Sequence, residues 1–211
     1  MVCAYHLNLC ARSSGRRRQV VPRLVDHEVR RREITSAVKR VVIRRGLEAV
    51  TFQSVAAEAG ISVRLVQYYF GTKREFLLAT HRSVMEDAGN RFTKQLSTLG
   101  DDVSPRSAVC AILMQLLPLD AVRREEAVVL GAFAAAAITG QGISAEETLA
   151  APRALVSIVE SQLTRAGATT PHLDAELILA AAGGIAQGMV QGHYTDQAGV
   201  ELIDHLLDRV V

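Results

Sequence analysis

The stretch TFQSVAAEAGISVRLVQYYFGTK, residues 51–73, holds two helix starts and a glycine turn in one short span. Thr51 has N-cap chemistry for a helix over Phe52–Ala59, because its hydroxyl can accept from a backbone N–H of the first turn. Gly60 ends that helix, supplying a positive φ that other residues resist. Ser62 caps a second helix from Val63 to about Tyr69. Thr72 to Glu75 has the Thr-x-x-Glu form of a capping box and opens a longer helix through about Phe92. Two caps and one glycine fix the crossing of two small helices, which is helix-turn-helix logic. Val55, Ala56, Ala59, Ile61, Val66 and Phe70 form the expected miniature core.

On the N-terminal side, Ile34, Ala37, Val38, Val41 and Val42 recur on one helical face from about Asp26. Arg30, Arg31, Lys39, Arg40 and Arg44 lie largely elsewhere, and Gly46 is the stop. Residues 1–25, with RSSGRRR at 12–18, lack periodicity. They are expected to be a basic flexible arm, either a solvated tail or a strap for phosphates or a minor groove.

On the C-terminal side, Ser104-Pro105 starts a helix over 105–117, and another runs from near Asp120 to Thr139. Further helices are expected at 145–166, kinked at Pro152, at 173–192, and from Thr195-Asp196 to about Arg209. That is nine or ten helices and no strand. The expected fold is all-α: a helix-turn-helix domain at 26–75 and a helical ligand-binding and dimerisation domain at 76–211.

Hydrophobic residues make up 49% of the chain and Trp is absent, so the core is mainly aliphatic. The net charge of +2 conceals a split. Residues 1–75 hold 15 Lys and Arg against 6 Asp and Glu, whereas 76–211 hold 9 against 16. A basic end on an acidic remainder points to a polyanion partner, with nucleic acid ahead of an acidic membrane surface. Cys3, Cys10 and Cys110 fit neither a zinc site nor a disulfide framework. Residues 1–10 do not read as a secretory leader, and no apolar run reaches membrane-spanning length uninterrupted. The expected location is the cytoplasm, in association with the nucleoid. His193 and His205 lie near Asp196, Asp204 and Asp208, but exposed amphipathic helices often carry such pairs. There is no metal-binding, nucleophile-elbow or phosphate-loop motif, so no catalysis, metal or cofactor is expected.

At about 100° per residue, Arg64, Gln67 and Tyr68 share one arc of the second short helix, with Val66 and Phe70 opposite. Arg can bond the O6/N7 edge of guanine and Gln the N6/N7 edge of adenine. Tyr68 can reach a phosphate with its hydroxyl. Thr51 and Ser62 sit at helix N-termini that favour phosphate, and Lys73 adds charge at the next helix start. Phosphate contacts would set register and base contacts sequence.

Over about residues 28–78 the chain resembles the DNA-binding domain of the TetR family of bacterial regulators. The matching features are Gly46, Thr51, Val55-Ala56, Ala59-Gly60-Ile61-Ser62, Tyr68-Tyr69-Phe70 and Lys73-x-x-Phe76-Leu77. Arg64 stands where a small residue is usual and Gln67 where Tyr is usual, so the departures bear on which operator is read. The resemblance implies DNA contacts from Thr51, Ser62, Val63, Arg64, Gln67, Tyr68, Tyr69 and Lys73. More weakly, LLPLDAVRREEAVVLGAFAAAA at 116–137 is similar to the C-terminal domain type of choline-responsive repressors. A homodimer on a palindromic operator, released by a small-molecule effector, is what the family implies. Repression is the expected sense, with activation as the alternative.

Gly184, Gly188 and Gly192 recur every four residues, with Ala180 one step earlier. Such a stripe costs roughly 1 kcal/mol per site against Ala unless another helix must come close. It marks either a dimer face, together with helix 145–166, or packing within one subunit. Met85, Phe92, Met114, Leu117 and Phe133 are candidates for an effector cavity or for plain core, with His81, Asn90 and Gln115 as polar candidates. The helix after Thr72 would be the lever between head and cavity.

Overall fold

A computed structural model describes residues 22–98, 100, 102–140, 143–148 and 150–210, with backbone only at 22–25, 96, 145, 147, 150 and 151. Most of the expected arm, residues 1–21, lies outside the described residues. Those described form ten helices and no strand: α1 (Pro22–Arg45), α2 (Phe52–Ala59), α3 (Val63–Phe70), α4 (Lys73–Ser97), α5 (Pro105–Leu116), α6 (Ala121–Thr139), α7 (Ala145–Thr148), α8 (Ala150–Arg165), α9 (Pro171–Val190) and α10 (Asp196–Val210).

The helix ends follow local chemistry. The Thr51 hydroxyl accepts from the Ser54 N–H at 3.0 Å, and the Ser54 hydroxyl accepts in return from the Thr51 N–H at 2.8 Å. This reciprocal pair closes the start of α2. Gly60 sits at φ 67°, in the left-handed region, and lets the Ile61 N–H reach the Ala56 carbonyl at 3.0 Å. The Ser62 hydroxyl accepts from the Leu65 N–H at 3.2 Å and starts α3. The break at Pro118 leaves α5 and α6 bent by 74°, and the Asp120 carboxylate caps α6 through the Arg123 N–H at 2.9 Å.

Three boundaries differ from the periodicity reading. α1 starts at Pro22 rather than near Asp26; a proline at the first helical position gives up no intrahelical bond. The helix expected at 145–166 is two, α7 and α8. Pro152 sits in the first turn of α8, where it needs no acceptor, rather than at a mid-helix kink. α4 continues past Phe92 to Ser97 on largely exposed residues, beyond the reach of apolar periodicity.

Two cores hold the helices. The first joins Ile34, Val38 and Val41 of α1 to Val55, Val66 and Phe70, and extends to Phe76, Leu77 and Val84 of α4 and to Val129 and Phe133 of α6. Each large side chain fully buried there contributes roughly 1.5–3 kcal/mol. The second joins Val109, Ile112 and Leu113 of α5 to Val159 and Leu163 of α8, Ile178 and Met189 of α9, and Ile203 and Leu207 of α10. α4 belongs to both: its first half lies in the first core, while Phe92 packs against the second.

Candidate nucleic-acid interface

α3 turns opposite faces to core and solvent. Val66 and Phe70 are 0% and 1% exposed, whereas Tyr68 is 75% exposed. Arg64 and Gln67 are exposed on the same side as Tyr68. Thr51, Ser62 and Lys73 are also exposed, at the N-terminal ends of α2, α3 and α4. Two residues of the expected set are less available. Val63 is half-buried against the first core. Tyr69 is half-buried too, with its ring 4.7 Å from that of His27 in α1 and edge-on to Tyr68 at 5.2 Å.

The hold on α3 comes from Arg31, one of the basic residues of α1 that the periodicity places largely off its apolar face. Arg31 Nη1 donates to the Tyr69 carbonyl at 2.5 Å, and its guanidinium carbon stands 4.2 Å from the Phe70 ring centroid. A guanidinium can do both at once, because its N–H edge bonds in plane while its face stacks. Arg31 falls three residues before Ile34, but which partner it meets depends on how α1 packs against α3 across 38 residues.

Other basic residues of α1 are likewise engaged. Arg40 Nε donates to Glu58 Oε1 at 2.6 Å, and Arg44 Nη1 to Oε2 at 3.2 Å, tying α1 to α2. The Arg40 hydrogen bond, aided by the nearby charges of Arg44 and Arg45, holds the Glu58 carboxyl below its usual range against the opposing effect of desolvation. Part of the basic excess of the first 75 residues therefore orients the head. Arg64 in α3 and Lys73 at the start of α4 are both exposed.

The remaining candidates separate by location. Met85 and Phe92 of α4 do line a cavity of about 200 Å³, with Gln115 and Leu116 of α5 and Leu155 and Ile158 of α8. Leu117 is fully buried in the second core and Phe133 in the first, away from the residues that line this cavity. Met114 packs against the second core and its carbonyl accepts from Arg123. His81 stands edge-on to Phe133 at 5.3 Å, and burial pushes its imidazole below the ordinary range. Asn90 borders a different, polar cleft between α1 and α4.

The glycine stripe resolves into three roles. A Cβ on Gly188 would fall 2.6 Å from the Tyr194 ring of the same chain, so that glycine admits an internal ring. Gly192 follows the end of α9 at φ 78°, its N–H bonded to the Met189 carbonyl at 3.2 Å. Gly184 alone of the three lies exposed on α9. Sequence spacing could not separate these roles, because all three glycines fall on one helical row. α9 is long and apolar enough to cross a membrane by length and composition alone. Its Ala175, Ile178, Ala182, Gly188 and Met189 are buried by neighbouring helices of the same chain.

Residues 34–80 match the family model of bacterial regulatory proteins of the tetR family. The chain is 33% identical over 115 residues to the HTH-type transcriptional regulator PksA of Bacillus subtilis. That match covers 54% of this chain and 55% of PksA, about half the length of each. A crystal structure of a transcriptional regulator from Rhodococcus superposes with a TM-score of 0.76 at 27% identity, covering 85% of this chain and 95% of that one. A regulator from Saccharomonospora viridis, in complex with choline, shares the fold at a TM-score of 0.69 and 20% identity, over 86% of this chain and 95% of its own. The caps at Thr51 and Ser62, the turn at Gly60, the exposed arc of α3 and the match over the head place residues 34–80 in the tetR family of bacterial regulatory proteins.

Proposed function

We propose that the chain is a ligand-responsive transcriptional repressor that reads operator DNA as a homodimer. The observation that carries the reading is α3, which is locked by Arg31 on its inner side and presents Arg64, Gln67 and Tyr68 outward. Arg64 and Gln67 would contact base edges. Thr51, Ser62, Tyr68 and Lys73 would contact phosphates, with Val63 and Tyr69 bordering the contact. Members of this family are transcription regulators rather than enzymes. A DNA-reading protein of this kind works in the cytoplasm, at the nucleoid.

The dimer face is read from α8 and α9. Leu173 and Leu177 are 66% and 57% exposed, and Ile158 is 36% exposed. Ala180 and Gly184 continue the same row of α9 with small exposed surfaces. A second copy on this face would cover the apolar row and set two recognition helices about one DNA turn apart, hence a palindromic operator. The cavity beside α4 is the effector site in this reading, and α4 is the lever. An effector that binds better to the form with misplaced heads, by about 1–3 kcal/mol, would weaken DNA binding about 5–150-fold.

Selection of bound duplexes from a random pool, followed by fluorescence anisotropy across a salt series, tests this. The expected result is a palindrome bound with salt-sensitive affinity, two chains per duplex. Recovery of no common sequence, or equal binding to anionic vesicles, would refute it.

A further inference from the structure

The cavity between α4, α5 and α8 is walled almost wholly by apolar groups. Met85, Ala88 and Phe92 of α4, Leu116 of α5, and Leu155 and Ile158 of α8 surround about 200 Å³. An apolar cavity of about 150 Å³ is enough to hold benzene, so this one suits an apolar body of roughly eight carbons. Met85 is unbranched and polarisable, which lets its wall adapt to more than one apolar shape.

Charge is the property on which such a cavity discriminates. Among the described residues no acidic side chain and only one aromatic ring line it. A cation out of water needs a carboxylate or a set of aromatic faces, and neither is present there. Arg91 is the one charged residue of the lining, and its charge is already met. Its Nη1 donates to Glu126 Oε1 at 2.8 Å and its Nη2 to Oε2, while Nε is closed off. An anion would find neither a free prong nor an uncompensated charge. A charged head of either sign would lose its hydration without gaining a counter-charge, which is strongly disfavoured. Gln115 is the other polar residue of the lining, and its carboxamide has no hydrogen-bond partner among the described residues. A carboxamide is uncharged and both donates and accepts, so it matches a hydroxyl, carbonyl or amide.

Resting on the reading of this cavity as the effector site, we infer that its ligand class is a small uncharged molecule, an apolar body with a single neutral hydrogen-bonding group. The body lies against Met85, Phe92, Leu155 and Ile158, and the neutral group pairs with Gln115. Apolar surface taken out of water drives the binding, and ions with the same body are excluded by their desolvation.

Octan-1-ol, octanoate and octylammonium share a tail and differ in the charge of a compact head. Each is titrated at neutral pH into the purified full chain without DNA in a calorimeter. Octanol is expected to bind at least about tenfold more tightly than either ion. Gly89 lines the cavity, and a Cβ added there meets nothing within 4 Å. Gly89→Leu on the α4 wall and Ala154→Leu on the α8 wall are each expected to take up space and weaken octanol at least about tenfold, while keeping the helical circular-dichroism signal. Gln115→Leu keeps the bulk but drops the carboxamide, and is expected to weaken octanol about fivefold. Equal or tighter binding of either ion overturns the uncharged assignment. Octanol binding unchanged in both wall variants, or absent at millimolar concentration, overturns the site, and unchanged binding in Gln115→Leu overturns the polar contact. Because no DNA is present, these failures are distinct from a failure to bind an operator, which the duplex selection reports separately.

Discussion

Arg31 holds the C-terminal end of the recognition helix at two points: its Nη1 bonds the Tyr69 carbonyl at 2.5 Å and its guanidinium carbon lies 4.2 Å from the centre of the Phe70 ring. The bond meets a helix carbonyl that would otherwise lack an intrahelical partner. It also fixes the angle at which Arg64 and Gln67 leave the domain.

Arg31→Met is therefore expected to keep the fold but loosen α3. A charge-assisted hydrogen bond and a stacked cation together are worth about 1–3 kcal/mol. The midpoint of urea unfolding should fall accordingly, and amide exchange should quicken in α3 more than in α8. Arg31→Lys should not restore the parent behaviour, because an ammonium lacks the planar fork. Full rescue by Lys would reduce Arg31 to a point charge.

Arg64 and Lys73 should fail differently. Arg64→Ala is expected to relax discrimination at one operator position, at a cost of about 1–3 kcal/mol there. Lys73→Ala should weaken all duplexes alike and lower the salt slope by about one. Binding curves on a set of single-position operator variants separate the two. Unchanged operator preference in Arg64→Ala would remove it from the base contacts.

Leu177 and Gly188 test the two halves of the α9 surface. Leu177 is 57% exposed, so Leu177→Glu should leave the folded chain intact and shift sedimentation from dimer to monomer. Gly188→Ala should instead lower thermal stability, by about 1–3 kcal/mol, through its clash with the Tyr194 ring. If Leu177→Glu sediments as the parent does, the dimer face lies elsewhere.

His81 gives a pH dependence with a definite sign. Burial lowers its folded pKa, while the unfolded ring titrates near its ordinary value of about 6.5. Below about 6.5 the unfolded chain binds more protons, so stability falls with acid from this group. His172 acts oppositely. Its hydrogen bond to Glu160 raises its pKa, so its contribution is present below about 6.5 and is lost as pH rises through its folded value. The informative quantity is therefore the difference between the parent and His81→Gln in urea midpoints at mildly acidic and mildly alkaline pH. The variant should lose less on acidification; equal losses would exclude His81 as the source.

The reading head was legible because its determinants are local. Thr51, Gly60 and Ser62 act on backbone groups within a few residues, so their identity and spacing suffice to set helix ends and to turn Arg64 and Gln67 outward. Met85, Phe92 and Gln115 come together on one cavity. That Leu117 and Phe133 lie instead in the two cores was not legible, because an apolar side chain carries the same signal on a cavity wall as in a core. The three glycines of α9 illustrate the same limit: their spacing was visible, but the Tyr194 ring under Gly188 belongs to the following loop.

By itself, then, the sequence determined the helices, their caps, the turn between α2 and α3, and the arc that faces outward, since each depends on contacts within one or two turns of chain. Only the tertiary structure decided which charges are spent inside the protein. Arg31 reaches Tyr69 across 38 residues and Arg91 reaches Glu126 across 35. Such pairings depend on how α1, α4 and α6 pack, and no local pattern records that packing. The stretch 51–73 thus supplies the exposed arc of α3, and Arg31, outside it, holds that helix from its inner side.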